Sequence, residues 1–327
     1  ATTSRTIDRW TFCGGLRIDH RHLHGHELTE DGQQRFDDFS RNINGYSGSA
    51  GIIYNVTRRM NIRSNVSRGF RSPNISELSS NGVHEGTIRY EIGNNNLRAE
   101  NSTQFDLGLD YSSYLISFQL ALFANHIDNF ILSKHIGKLL LNGDSYRVYQ
   151  YTQGDARLYG GEVSIDTHPV KNLHFDNAFS WVNARLLHQP GASRWLPLTP
   201  APRWNVDLKY ELPKFSTGKF YSGLQLSNTF ISGGIECNLR QNHYYAVNDT
   251  ETATPSYTLF NASAGTDIMR KGNRFASFTI IGSNITDKAY QNHLSRLKYT
   301  DLNPVTQRRG IYNMGRNIVF RIAFYIQ

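Results

Sequence analysis

The sequence predicts an all-β chain, an antiparallel transmembrane β-barrel portion of about twelve strands. Three observations carry that expectation. Apolar and polar residues alternate with a strict period of two in several segments. Short turns and long polar loops alternate along the chain. No helical periodicity and no run of about 18 apolar residues interrupts the pattern.

The alternation is clearest in three places. Phe105, Leu107, Leu109 and Tyr111 interleave with Gln104, Asp106, Gly108 and Asp110. Trp204, Val206, Leu208, Tyr210 and Leu212 interleave with Asn205, Asp207, Lys209 and Glu211. Near the end, Ile318, Phe320, Ile322, Phe324 and Ile326 form one face, with Asn317, Arg321 and Tyr325 on the other. Side chains of a strand point to opposite faces in turn, so each segment has one dry face and one wet face. Read along the chain, strands are expected near 9–20, 44–56, 60–70, 102–112, 114–132 and 147–167. Six more follow near 172–186, 202–212, 219–232, 256–268, 275–285 and 314–326. No helix is expected.

Short turns fall at Asn55–Arg59, Ser112–Ser113, His168–Asn172, Pro213–Lys219 and Met269–Arg274. Long polar loops fall at 21–43, 71–101, 133–146, 187–201, 233–255 and 286–313. A soluble sandwich gives no reason for this regular succession. A membrane barrel does, because short turns gather on the periplasmic side and long loops outside. The strand order then puts residues 1 and 327 both on the periplasmic side. Tyr54, Tyr111 and Tyr210, near strand ends, are expected in aromatic girdles at headgroup level.

Composition agrees. The 327 residues include 18 Tyr, 18 Phe and 4 Trp but only 2 Cys and 3 Met, an aromatic bias that suits such girdles. The mean hydropathy is negative, which a barrel with wet loops and a wet interior shares with soluble proteins. The net charge is +8, yet the 35 basic residues are dispersed and form no binding motif, so no nucleic-acid partner is expected. Cys13 and Cys237 lie in no metal-binding spacing; a long-range disulfide and two free thiols both remain open. Ala1-Thr2-Thr3-Ser4-Arg5 has no apolar core, so no signal peptide is expected there.

Phe70-Arg71-Ser72-Pro73, directly after a strand, resembles the FRAP box of the TonB-dependent outer-membrane receptors, with Ser in place of Ala. Asn94-Asn95-Asn96-Leu97-Arg98-Ala99-Glu100 is similar to the family's NPNLKPE segment, departing at its two prolines. The strand Phe105-Asp106-Leu107-Gly108-Leu109 follows where the family places one. Tyr159-Gly160-Gly161-Glu162-Val163, Leu196-Pro197-Leu198-Thr199-Pro200 and Asn284-Ile285-Thr286-Asp287-Lys288-Ala289-Tyr290 resemble later family segments, the last its NLFDKKY stretch. Gly315-Arg316 then introduces the closing strand.

The resemblance implies a barrel of about 22 strands filled by an N-terminal plug. Residues 1–327 would be its C-terminal portion, with the plug domain and early strands absent. An even-numbered set of about twelve strands can close on itself, but the resemblance argues against closure. It also implies a terminal aromatic residue beyond Gln327. The implied function is uptake through the outer membrane of a Gram-negative bacterium, of a metal, a metal chelate (siderophore) or haem. The implied partners are the TonB energy-coupling complex acting through the plug, outer-membrane lipid and a small nutrient ligand. No intrinsic cofactor is expected; the metal ion, ferric siderophore or haem is cargo. The alternatives are a stand-alone pore or adhesin barrel and an outer-membrane hydrolase. The hydrolase lacks any nucleophile motif such as GxSxG.

Candidate ligand residues sit in the loops. His20, His22, His24 and His26 recur at spacing two, and imidazole is a common ligand for zinc, copper and iron. His22, His24 and His26 are the candidates for metal capture, against the alternative of a solvated loop. Their parity continues Trp10, Phe12, Leu16 and Ile18, so they should point outward unless the loop twists. His84, with Glu85, lies in the interval where haem receptors of the family carry a haem-ligating His and a zinc-importing branch a comparable stretch. The alternative is a loop residue that only packs. Arg308 and Arg309 could attract an anionic ligand. Phe70, Arg71, Pro73, Asn96, Leu97 and Glu100 are expected to be structural, Arg71 and Glu100 fixing the long loop to the wall by charge pairing.

Overall fold

The computed structural model describes residues 1–30, 33–36, 38–213, 215–216, 224–300 and 302–325. Among them, thirteen strands follow one another in a single sheet path, each hydrogen-bonded to the next in chain order. The first seven are β1 (Thr2–Ile7), β2 (Trp10–Gly25), β3 (Phe39–Thr57), β4 (Met60–Arg71), β5 (Glu100–Ser112), β6 (Ile116–Leu141) and β7 (Asp144–Val170). The remainder are β8 (Leu173–Leu186), β9 (Arg203–Glu211), β10 (Leu224–Asn238), β11 (Tyr257–Arg270), β12 (Asn273–Ser283) and β13 (Asn317–Phe324). All twelve ladders of the path are antiparallel, and among the described residues β1 and β13 are its two edges.

The register explains the alternation in the sequence. Trp10 faces Tyr54, and Phe12 faces Ile52. Val206 lies between Asn177 and Ile235, and Ile235 faces Phe260. Phe278 faces Ile322. These side chains share one face, and they are unusually exposed: Leu16 76 %, Ile18 78 %, Phe320 66 %. A soluble protein would not leave so broad an apolar band open to water, whereas lipid covers it. The opposite face carries Arg63, Asp106, Asp110, Glu162, Asp207 and Lys209, the polar set that a barrel turns inward. Arg63 pairs with Asp110 at 2.8 Å across this face, and only a glycine at 108 leaves room for its side chain. At the short-turn end, the Trp10 and Tyr54 rings meet with centroids 4.2 Å apart, tilted by 32°, and Tyr111 pairs with Met60.

Several expectations need correction. β1 was not foreseen, because its polar run TTSRTI shows no apolar alternation. It pairs with β2 through backbone bonds, and Ala1 exchanges two of them with Leu16. Residue 1 therefore lies part-way up the wall, not at the periplasmic edge. The loop expected at 133–146 is a hairpin: β6 and β7 run out to Leu141 and Asp144 around Asn142-Gly143. Both turn residues have positive φ, 52° and 89°, as a two-residue hairpin turn requires. Within 21–43, β2 extends to Gly25 and β3 starts at Phe39. The last strand is Asn317–Phe324 rather than 314–326; the expectations for Ile326, for Gln327 and for much of the turn 213–219 lie outside the described residues. Cys13 and Cys237 are free thiols.

Buried apolar residues gather above the wall, not within it. Leu132, Ala156, Ala184 and Leu186 on the outer parts of β6, β7 and β8 pack with Leu196 and Tyr245 from two outer loops. Leu23, Phe39 and Ile131 pack with Leu78 and Leu97 from the loop between β4 and β5. The outer loops thus form a folded crown with its own small cores.

Candidate functional site

The loop 72–99 is a firmly anchored part of the crown. β4 ends in Arg71, whose guanidinium donates to Glu100 at 2.6 and 2.9 Å and to Glu77 at 3.0 Å. Glu100 also accepts from the backbone N–H of Ile131 on β6. Both carboxylates are buried, so a charged partner with several donors is what makes their burial tolerable. Pro73 is fully buried and ends the strand; Asn74 then caps a five-residue helix, Ile75–Ser79. Asn74 Oδ1 accepts from the Glu77 N–H, and the Glu77 carboxylate accepts from the Asn74 N–H, a reciprocal cap readable as Asn-x-x-Glu. Leu78 and Leu97 point into the core under this loop, and Phe70 packs its ring on Gly45. Asn96 is exposed and donates its N–H to Asn94.

Beyond the helix, the short strands Asn81–His84 and Arg89–Ile92 form a hairpin. The second of these joins β7 in parallel at Arg147–Gln150. Glu91 is buried and accepts from Arg89 at 2.6 Å and from the Tyr151 hydroxyl at 3.0 Å. His84 and Glu85 stand at the exposed tip, and His84 Nδ1 lies 3.2 Å from the Thr87 hydroxyl. The strand Gln33–Phe36 of the first outer loop lies close to Asn81–His84, so two loops meet along this strand.

Along β2, His20, His22 and His24 keep the outward parity of Ile18, facing Asn44, Asn42 and Ser40 respectively. His20 and His22 each place Nδ1 2.8 Å from the side-chain oxygen of the facing asparagine. His24 and His26 instead converge on each other and on Asp38. The structure therefore separates His22 from the other two and adds Asp38, which no sequence spacing pointed to.

Arg308 and Arg309 lie elsewhere in the crown, both exposed. Arg308 sits 5.1 Å over the Tyr312 ring, and the Arg309 carbonyl accepts from Gln291. Among the described residues, no hydrogen bond joins either to His84.

A buried polar network, also unforeseen, ties three outer loops together. Glu251 accepts from the Leu198 N–H at 2.6 Å and the Tyr245 N–H at 3.1 Å. Lys298 Nζ donates to the carbonyls of Thr252 and Ala253 and to the Thr254 hydroxyl, at 2.9, 3.0 and 2.6 Å. Since Thr254 Oγ1 accepts from Lys298, its own proton goes to His293 Nδ1, 2.8 Å away. That leaves the His293 proton on Nε2, aimed at Glu251 from 3.7 Å, too far for a hydrogen bond. Burial pushes the His293 pKa down to about 4 and Lys298 down to about 8, with Lys298 also repelling the imidazolium and Glu251 opposing the Lys298 shift. Burial likewise pushes Glu251 up, against its two backbone donors and Lys298. At neutral pH His293 is uncharged, so its contact with Glu251 is not an ion pair.

Below the crown, the inward face offers a depression of about 460 Å³ bordered by Cys13, Arg63, Asn65, Asp106 and Glu162. Its lining mixes these polar residues with apolar ones such as Ile53, Leu107 and Phe123.

The family model described as TonB dependent receptor-like, beta-barrel, matches residues 1–284. Among solved structures, the chain is similar to the copper transporter OprC, with a TM-score of 0.74 at 18 % identity, over 97 % of this chain and 45 % of that one. It is similar to the FrpB iron transporter from Neisseria meningitidis, with a TM-score of 0.66 at 13 % identity, over 98 % and 44 %. The siderophore receptor PirA from Acinetobacter baumannii gives 0.62 at 15 % identity, over 98 % and 44 %. The chain thus spans less than half the length of these structures.

Proposed function

The chain belongs to the TonB-dependent receptor β-barrel family, and from that membership we propose that it is part of an outer-membrane receptor for a metal, a metal chelate such as a ferric siderophore, or haem. The receptors of this family are outer-membrane proteins of Gram-negative bacteria, and we place this chain there. The observation that carries the reading is the joint arrangement of an apolar outward band, a polar inward face and a packed crown above them. A crown held by buried ion pairs can present a fixed binding surface, and a polar wall gives hydrated cargo a path. The solved relatives bear the names of copper, iron and siderophore transporters, which supports a metal-containing cargo. Energy for release would come from the TonB complex through a plug inside the wall, and the polar inward face suits such a filling.

Within this reading, His84 and Glu85 at the junction of two loops are the proposed contacts for the cargo, with Arg308 and Arg309 drawing in an anionic chelate. Calorimetry on the purified full-length receptor with zinc, a ferric siderophore and haemin in parallel tests it. One ligand should bind, and His84→Ala should weaken that binding at least about tenfold, the loss of one coordinating or hydrogen-bonding contact. Full binding by the variant would exclude His84. No binding of any of the three would remove metal nutrients as the cargo class.

A further inference from the structure

We infer that His24, His26 and Asp38 form a binding site for a divalent cation of the zinc class on the outward face of the crown, closing the base of the first outer loop. The inference rests on the barrel orientation argued above but not on which nutrient the receptor takes up.

The site is built by what lies beneath it. Leu23 on β2 and Phe39 on β3 are buried in the core under the loop 72–99, on the inward face. His24 follows Leu23 and Asp38 precedes Phe39, so both are held on the outward face by neighbours that cannot move without opening that core. Gly25 lies opposite Phe39, and any side chain there would collide with the Phe39 ring. With no side chain at 25, the chain passes close over Phe39 and brings His26 back toward His24.

The three donor atoms are His24 Nε2, His26 Nδ1 and Asp38 Oδ2, and all lie within 4.8 Å of one another. His24 Nε2 and His26 Nδ1 are 3.3 Å apart, with the rings near perpendicular at 86°. Each is 3.7 Å from Asp38 Oδ2. At 3.7 Å the carboxylate is within ion-pairing reach of both rings but hydrogen-bonds to neither, and the two ring nitrogens face each other. A shared ion would satisfy all three donors. Zinc held tetrahedrally at about 2.0–2.2 Å from nitrogen and oxygen sets its donors about 3.4 Å apart, close to this triangle. Two imidazoles and one carboxylate are a recognised zinc set, and the fourth position would take water. The side chains are 39, 84 and 56 % exposed, so a hydrated ion can reach them.

His20 and His22, on the same face of β2, do not join the site: each faces an asparagine that occupies its Nδ1. This distinction makes the test sharp. The intact receptor in detergent is titrated with zinc against a chromophoric chelator, beside His24→Ala, His26→Ala, Asp38→Asn and, as a control, His22→Ala. Removing even an outer-shell partner of a metal costs about 10–100-fold, so each of the first three should lose at least about tenfold in affinity. His22→Ala should leave it unchanged. X-ray absorption at the zinc edge should show nitrogen and oxygen neighbours with two imidazole signatures. Zinc binding that is absent, indifferent to these changes, or equally weakened by His22→Ala would overturn the site. Cells bearing His24→Ala should take up nutrient normally, because the three ligands face away from the lumen. Uptake that falls with loss of zinc would overturn that peripheral placement. Failure of the wild-type receptor to take up any metal nutrient would sink the proposed function and leave the zinc titration standing.

Discussion

Replacing Lys298 by Met should loosen the crown without touching the barrel wall. Lys298 is 7 % exposed and Glu251 3 %, so neither can turn to water while the loops stay closed. The ammonium meets two carbonyls and the Thr254 hydroxyl and lies in the field of Glu251. Methionine fills the volume but leaves a buried carboxylate with no cation and two carbonyls with no donor. Stranding a buried hydrogen-bonding group costs about 1–3 kcal/mol, and two carbonyls lose their donor here. Glu251 keeps its two backbone donors, so the total is about 3 kcal/mol. That corresponds to about a hundredfold more frequent opening. Hydrogen exchange reads it directly. The amides of Gln241, Thr254 and Ile311, which bond within these loops, should exchange about a hundredfold faster, while wall amides such as that of Val206 keep their rates. The double variant Glu251→Gln with Lys298→Met should recover part of the loss, since the stranded charge is gone. Exchange changed less than about threefold, or no recovery in the double variant, would refute the claim that the buried Lys298 ammonium, in the field of Glu251, holds these loops together.

Two further outcomes follow from the same reasoning. Acid should open the crown through His293. Its pKa in the folded state, about 4, lies below the ordinary 6.5, so the neutral form is what the fold holds. The stability this contributes is complete above about pH 6.5 and is lost as the pH falls toward 4, about 3 kcal/mol in all. Glu251, raised by burial, acts in the opposite sense, so the measure is the difference between wild type and His293→Gln in loop exchange across this window; parallel profiles would show that His293 is not the sensor. On the wall, Val206→Arg should cost about 2–4 kcal/mol in folding into lipid bilayers, as expected for a charge on the lipid face, and Asp207→Asn should cost less than about 1 kcal/mol. Equal costs would mean that the two faces are assigned wrongly.

The wall was legible in the sequence because lipid and water impose opposite demands on alternate residues. Phe105 to Tyr111 and Trp204 to Leu212 need no tertiary information to show a dry face and a wet face. β1 was not legible, since its run of threonine, serine and arginine offers no apolar alternation to read. Two features were written in the sequence yet passed over. Asn142-Gly143 after Leu139-Leu140-Leu141 is a hairpin signal, and Asn74 followed by Glu77 is a helix cap. The pairing of Arg71 with Glu100 was expected, and the structure adds Glu77 as a second carboxylate. Glu251, His293 and Lys298 could not have been joined beforehand. They come from two loops separated by two strands, and no period links them. Asp38 is a similar case: it meets His24 and His26 only because Leu23 and Phe39 pack on the other face of the same hairpin.

Energy-dependent uptake is the central expectation for this protein. Cells that depend on this gene should be supplied with labelled zinc, ferric siderophore and haem in turn, with and without a protonophore that collapses the inner-membrane gradient. One of the three should enter, deletion of the gene should abolish its entry, and the protonophore should do the same while surface binding persists. Entry of many unrelated small solutes that ignores the protonophore would contradict it and make the barrel an open pore.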